Sequence, residues 1–213
     1  MARHPDNAFA YTQQEQALIA QALAEAKPWN APCAAPLKTR IYAYHKDLQK
    51  EMCCYCLRNH IGEFKLVIDT EHILPKEKYR PHMFEIWNLS VSCKRCNMKV
   101  KGQRIDFLAD ATFASVGTQD NSAYHFVHPN LDEVRQHLSR VALEVDGERL
   151  VSYVVKGNSA KGTFHVDYFR LRELEIATFD AAQIEGAEEN ASAALEGIRA
   201  VVRDLARSTG NAV

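Results

Sequence analysis

An α+β fold is expected from this sequence, on three observations. Two Cys-x-x-Cys pairs, Cys53/Cys56 and Cys93/Cys96, bracket a segment long enough to hold strands and loops of its own. Before them, apolar residues recur at helical spacing from Thr12 to about Lys50. After them, two alternating runs, Arg140–Val145 and Leu150–Val155, meet at Asp146-Gly147, a hairpin signal. These features divide the chain into a helical arm over 1–50, a cysteine-bearing core over 51–108, and a C-terminal region over 109–213.

Thr12-Gln13-Gln14-Glu15 is a capping box opening the first helix, whose apolar face holds Ala17, Leu18, Leu23 and Ala24. Pro28, Pro32 and Pro36 stiffen the connection to a second helix over about Leu37–Lys50, with Ile41, Tyr44, His45 and Leu48 on one side. Phe64–Asp69 reads as a strand ending at Glu71-His72, and Pro75–Phe84, with its two prolines, as loop. Apolar Ile86–Val91 leads to the second cysteine pair, and a helix is expected from about Lys94 to Gly102. Asn130–Leu138 reads as helix and Gly157–Gly162 as loop. Phe164–Phe179 reads as mostly helix, and helical spacing from Ile184 to Leu205 predicts a long final one.

The chain has 213 residues and a formal net charge of −1, which gives no global field for nucleic acid. Locally, residues 46–104 hold 12 Lys/Arg against 7 Asp/Glu, a formal +5, so the basic excess coincides with the core. No apolar run suggests a signal core or a membrane span, and a reducing cytoplasm is the expected setting. There, paired cysteines hold metal more often than they form disulfides. Tetrahedral Zn²⁺ takes four thiolates, and Cys53, Cys56, Cys93 and Cys96 offer them. His60 is an alternative ligand, and a disulfide pairing is the rival reading of the cysteines. Cys33 and Cys54 fall outside the quartet and read as packing residues.

The order Cys-x-x-Cys, Glu71-His72, Asn88-Leu89, Cys-x-x-Cys-Asn97-x-Lys99 resembles HNH endonucleases with a zinc-stapled ββα-metal core of treble-clef-like form. His72-Ile73-Leu74-Pro75-Lys76 and Trp87–Cys93 most resemble the HNH nucleases that accompany ATPases in bacterial anti-phage defence, of Septu and retron-linked types. The resemblance implies hydrolysis of DNA phosphodiesters with Mg²⁺ or Mn²⁺, and an ATPase partner. It makes His72 the base and Asn88 the residue that holds the loop beneath it. It makes Glu71, where the family usually has Asp, and Asn97 the ligands of the catalytic ion.

The chemistry accords with these residue types. An imidazole of ordinary pKa near ~6.5 can take a proton from water at neutral pH, and carboxylate and amide oxygens suit a hard cation. Lys76, Lys94, Lys99 and Lys101 are candidate phosphate contacts. His82 is a spare candidate for the metal site, while His125 and His128 lack acidic companions and read as structural. Tyr79, Phe84 and Trp87 read as packing rather than base-stacking residues. A non-catalytic zinc module that binds nucleic acid or protein, and an RNA-cleaving enzyme, are the alternatives.

Overall fold

The computed structural model describes residues 9–63, 65–110, 119–145, 148–177, 200 and 204. The chain forms two compact units, Met1–Glu133 and Val134–Val213. Helix and sheet are mixed, as the sequence predicts.

In the first unit, α1 spans Gln13–Ala24, and its capping box is formed as expected: Thr12 accepts from the Glu15 amide and Glu15 from the Thr12 amide. Two single 3₁₀ turns, Pro28–Asn30 and Pro32–Ala34, lead into α2, Ala35–Leu48. The buried face of α2 carries Leu37, Ile41 and His45. Phe9, Ala22, Leu37 and Ile41 share one core with Met83, Phe84, Ile86 and Leu89, so helices and central segment are packed together. Arg80 ties the loop to α1 by donating 2.7 Å bonds to the Leu23 and Glu25 carbonyls, orphan acceptors at the helix end.

His45 is fully buried, and that burial pulls its pKa down to about 4, the neighbouring Ile86 backbone opposing the shift. The folded state therefore disfavours the proton relative to the unfolded chain. His45's contribution is complete above pH ~6.5 and is lost as pH falls toward its folded value, by about 1.4 kcal/mol per unit. Denaturation midpoints measured from pH 7.5 to 5 should fall more steeply in wild type than in His45→Gln.

The centre is an antiparallel hairpin. β1, Ile68–His72, pairs with β2, Leu89–Cys93, in the register Ile68↔Cys93 to His72↔Leu89. β1 begins four residues later than the expected strand at Phe64 and runs through the Glu-His pair; Lys65–Val67 is a 3₁₀ turn instead. A helix with wide π turns follows over Arg95–Lys101, stopped by Gly102 at φ 52°, a conformation that suits glycine. Behind the hairpin lies an aromatic layer in which Tyr55 meets Phe126 and Phe126 meets Phe107 at 4.5 Å.

Asn130 corrects the expected Asn130–Leu138 helix. Its amide donates to the Trp87 and Leu89 carbonyls, at 2.8 and 2.7 Å, which holds its own segment out of a helix. Only Val134–His137, α3, is helical there.

In the second unit, β3, Leu138–Val145, and β4, Glu148–Val155, form the expected hairpin, and β5, Ile176–Ala177, adds to β4. The Asp146-Gly147 turn lies outside the described residues. The helix α4 spans Ala160–Tyr168, capped by Ser159, so it begins inside the expected Gly157–Gly162 loop. Gly162 allows this, because a Cβ there would stand 2.5 Å from the His137 carbonyl. The expected helix to Phe179 instead breaks at Arg170, φ 53°, into a 3₁₀ turn over Leu171–Leu174. The expected long final helix falls outside the described residues apart from Ala200 and Asp204. No helix among the described residues is long and apolar enough to cross a membrane.

Candidate functional site

Cys53 and Cys56 lie in a tight knuckle closed by the Met52↔Asn59 bridge, with Leu57 at φ 54° turning the chain. Cys93 ends β2, and Cys96 sits in the first turn of the helix after it. The four sulfurs are buried and lie within 4.8 Å of one another. The Cys56 and Cys93 sulfurs are 3.8 Å apart. Tetrahedral Zn–S bonds of ~2.3 Å separate their sulfurs by about 3.8 Å, so the quartet could hold a zinc ion. That distance is far beyond a disulfide bond, and all six cysteines are free.

The Cys93 amide donates to the Cys53 sulfur at 3.4 Å, a bond that favours a thiolate. Burial opposes ionisation of Cys53, but hydrogen bonds from the surrounding thiols overcome it. Cys53 opposes ionisation of Cys93, while Cys56 and Cys96 draw its pKa down to about 5, with His60 adding to the same effect. Cys56 and Cys96 are pushed upward, chiefly because each keeps its proton to hydrogen-bond the Cys53 sulfur. His60 thus lies beside the quartet rather than in it. Cys54 is a buried neighbour whose thiol is raised well above its ordinary range by burial, and Cys33 packs half-buried near the Leu18 carbonyl.

β1 delivers His72 to the start of the loop 73–88. Its Nε2 lies 3.1 Å from the Met83 carbonyl. A carbonyl only accepts, so Nε2 carries the proton and Nδ1 the lone pair. Burial, aided by the Lys76 charge, takes the ring's pKa down to about 3, so it is neutral at pH 7. Asn88 is fully buried and staples the loop. It accepts from the Leu74 amide at 2.7 Å and donates to the Leu74 and His82 carbonyls. His82 is half-buried against Trp87. Trp87, Phe84 and Tyr79 are buried in packing positions.

Glu71 and Lys101 are each 1% exposed and form an ion pair at 2.7 Å through Glu71 Oε1. The Tyr55 hydroxyl donates to the same oxygen at 3.1 Å. Lys101 also donates to the His72 carbonyl at 2.9 Å. This corrects the expectation of a phosphate contact: an ammonium enclosed by Glu71 and a strand carbonyl is not open to a substrate. Burial raises the Glu71 pKa and the Lys101 charge opposes the rise. Removing one partner of such a pair leaves the other uncompensated, at a cost of about 3–5 kcal/mol. Lys101→Met should lower the denaturation midpoint accordingly, and Lys101→Met with Glu71→Gln should recover much of the loss. Equal midpoints for Lys101→Met and wild type would contradict the pairing.

A cleft of about 590 Å³ opens beside the hairpin. Asn97 lines it from the helix, Asp69 and Thr70 from β1, and Trp29, Lys38 and Tyr42 from the N-terminal region. His72 meets this wall through Trp29, the ring centroids lying 4.4 Å apart and edge-on. Of the expected base and ion ligands only Asn97 lines this cleft: Glu71 and His72 are both absent from its lining, His72 touching it through Trp29. Asp69, two residues before Glu71 on the same strand, lines the cleft and is the carboxylate that sequence reasoning missed. Trp29, Lys38 and Asn130 were missed as well, because only tertiary packing brings them to the site. Lys94 is half-buried, Lys99 exposed, and Lys76 is 3.6 Å from Glu77.

No family model matches the chain. It is 28% identical over 130 residues to Septu protein PtuB of Bacillus thuringiensis, a match covering 61% of this chain and 40% of that protein. The chain therefore matches less than half the length of this curated relative, a distant likeness.

Proposed function

We propose that the chain is a divalent-metal-dependent HNH endonuclease that hydrolyses DNA, built on a ββα-metal core and acting in anti-phage defence. The observation that carries this reading is the fixed His72 ring. Its Nε2–H is held by the Met83 carbonyl on a loop stapled by Asn88, which leaves Nδ1 as the acceptor. Nδ1 takes a proton from water as the water oxygen attacks phosphorus and the bond to the 3′ oxygen breaks. A phosphodiester beside the ring raises its pKa from the low value of the enclosed state, since a negative charge favours imidazolium.

The ion, Mg²⁺ or Mn²⁺, would offset charge on the leaving oxygen. Asn97 would offer its amide oxygen from the cleft, whereas Glu71, enclosed with Lys101 and Tyr55 through Oε1, would have to turn out of that pair to offer its own. Asp69 shares the cleft with Asn97 and adds a third oxygen donor. Lys76, Lys94 and Lys99 would serve as phosphate contacts. The likeness to Septu protein PtuB supports the defence role, and a co-encoded ATPase is the partner it suggests.

One observation favours a non-catalytic zinc module: Glu71 is already neutralised by Lys101. Nicking of supercoiled plasmid with Mg²⁺ or Mn²⁺ decides between them. Ion-dependent nicking supports the nuclease. Its absence from protein with its zinc intact, with and without the ATPase, favours the module. Competition by RNA tests the choice of DNA.

A further inference from the structure

The cleft wall opposite the hairpin has no part in the chemistry proposed above, yet it has the composition of a binding surface. Trp29 stands on the Pro28–Asn30 turn, between Pro28 and the Pro32–Ala34 turn that follows. It is half-buried, unlike Trp87, which is fully enclosed. Its ring meets His72 edge-on at 4.4 Å and Phe84 at 5.4 Å. The Lys38 ammonium lies over the ring, 5.9 Å from its centroid. Thr39 and Tyr42 continue this wall along α2. An aromatic plate with a cation above it, next to a histidine, is laid out for a base and its phosphate together.

Resting on the nuclease reading, we infer that this wall binds an unpaired nucleotide, so that the substrate is single-stranded nucleic acid whose base stacks on Trp29 and whose phosphate meets Lys38. A duplex keeps the faces of its bases against one another, and offering one to Trp29 requires unstacking it. A single strand has those faces free. The stack would also set register: a base seated on Trp29 fixes its neighbouring phosphate next to the ring that Trp29 already touches. Asp69 in the same cleft repels a phosphate unless a cation stands between them, which couples substrate entry to the divalent ion.

The test uses the full chain with Ca²⁺ in place of Mg²⁺, to limit cleavage, and a labelled oligonucleotide as single-stranded DNA, single-stranded RNA and duplex DNA. Anisotropy gives affinity, and tryptophan fluorescence reports stacking. Wild type should bind single strands about tenfold or more tightly than duplex, with quenching. Trp29→Ala should lose about tenfold in affinity, and Trp29→Phe should retain most of it. Lys38→Ala should reduce the salt dependence by about one phosphate contact.

The DNA and RNA arms show which strand chemistry is preferred. Equal affinity for duplex and single strand, or an unaffected Trp29→Ala, overturns the inference even where Mg²⁺-dependent nicking is intact. Strand preference that depends on Trp29, in a protein that cleaves nothing, supports the inference and overturns the nuclease reading. Should Trp29→Ala fail to fold, Trp29→Phe and Lys38→Ala carry the test: unchanged salt dependence in Lys38→Ala overturns it.

Discussion

Cys96→Ser is expected to lose the metal and, with it, the cooperative unfolding of Met1–Glu133. The quartet joins two distant stretches of chain: Cys53 and Cys56 before the hairpin, Cys93 and Cys96 at its far end. Structural zinc contributes on the order of 10–16 kcal/mol in small peptides, as much as the whole stability of an ordinary domain, about 5–15 kcal/mol. Serine keeps the size but replaces a soft thiolate with an alcohol that does not ionise at neutral pH. Purified wild type should carry one zinc per chain by elemental analysis. Cys96→Ser should carry far less and show no sharp melt for this unit. Cys54→Ser is the control, since Cys53 beside it belongs to the quartet but Cys54 lies outside it. Full zinc and an unchanged melt in Cys96→Ser would refute the assignment of the four sulfurs.

His72→Ala should abolish ion-dependent nicking by a factor of about 10²–10⁴, the usual worth of a positioned general base. The loss should fall on kcat with KM little changed, because in the proposed mechanism the ring would act in the transition state rather than in holding substrate. Zinc content should be unaffected, which separates this variant from Cys96→Ser. Removal of the ring leaves a gap beneath Trp29, so a melting curve is needed alongside the rate. An active, normally folded His72→Ala would remove His72 from the chemistry.

How much of this was legible in the sequence depends on whether the cause was local. The Thr12–Glu15 box was readable because both bonds close within one turn of helix. The cysteine quartet was readable because one ion imposes a spacing rule that survives any intervening fold. β1 was misplaced by about four residues, since pairing with β2, not strand propensity in Phe64–Asp69, decides where it starts. Asn130 was read as helical because its neighbours favour helix, whereas its amide serves two carbonyls more than forty residues earlier. Lys101 shows the limit most clearly. On a helix beside other lysines it looks like a phosphate contact, and only the hairpin packed against it makes it a buried counter-charge for Glu71. Trp29 likewise gave no sign in its Pro-rich setting of what stands next to it.

Those two Asn130 bonds bear on where a fragment of this protein can be cut. The Trp87 and Leu89 carbonyls flank Asn88, so the segment after residue 108 props up the turn whose amide staples the loop that follows His72. A minimal piece excised at the end of the cysteine-bearing stretch would keep its ligands and lose that prop. Transplanting or crystallising this unit therefore calls for a C-terminal border no earlier than Glu133.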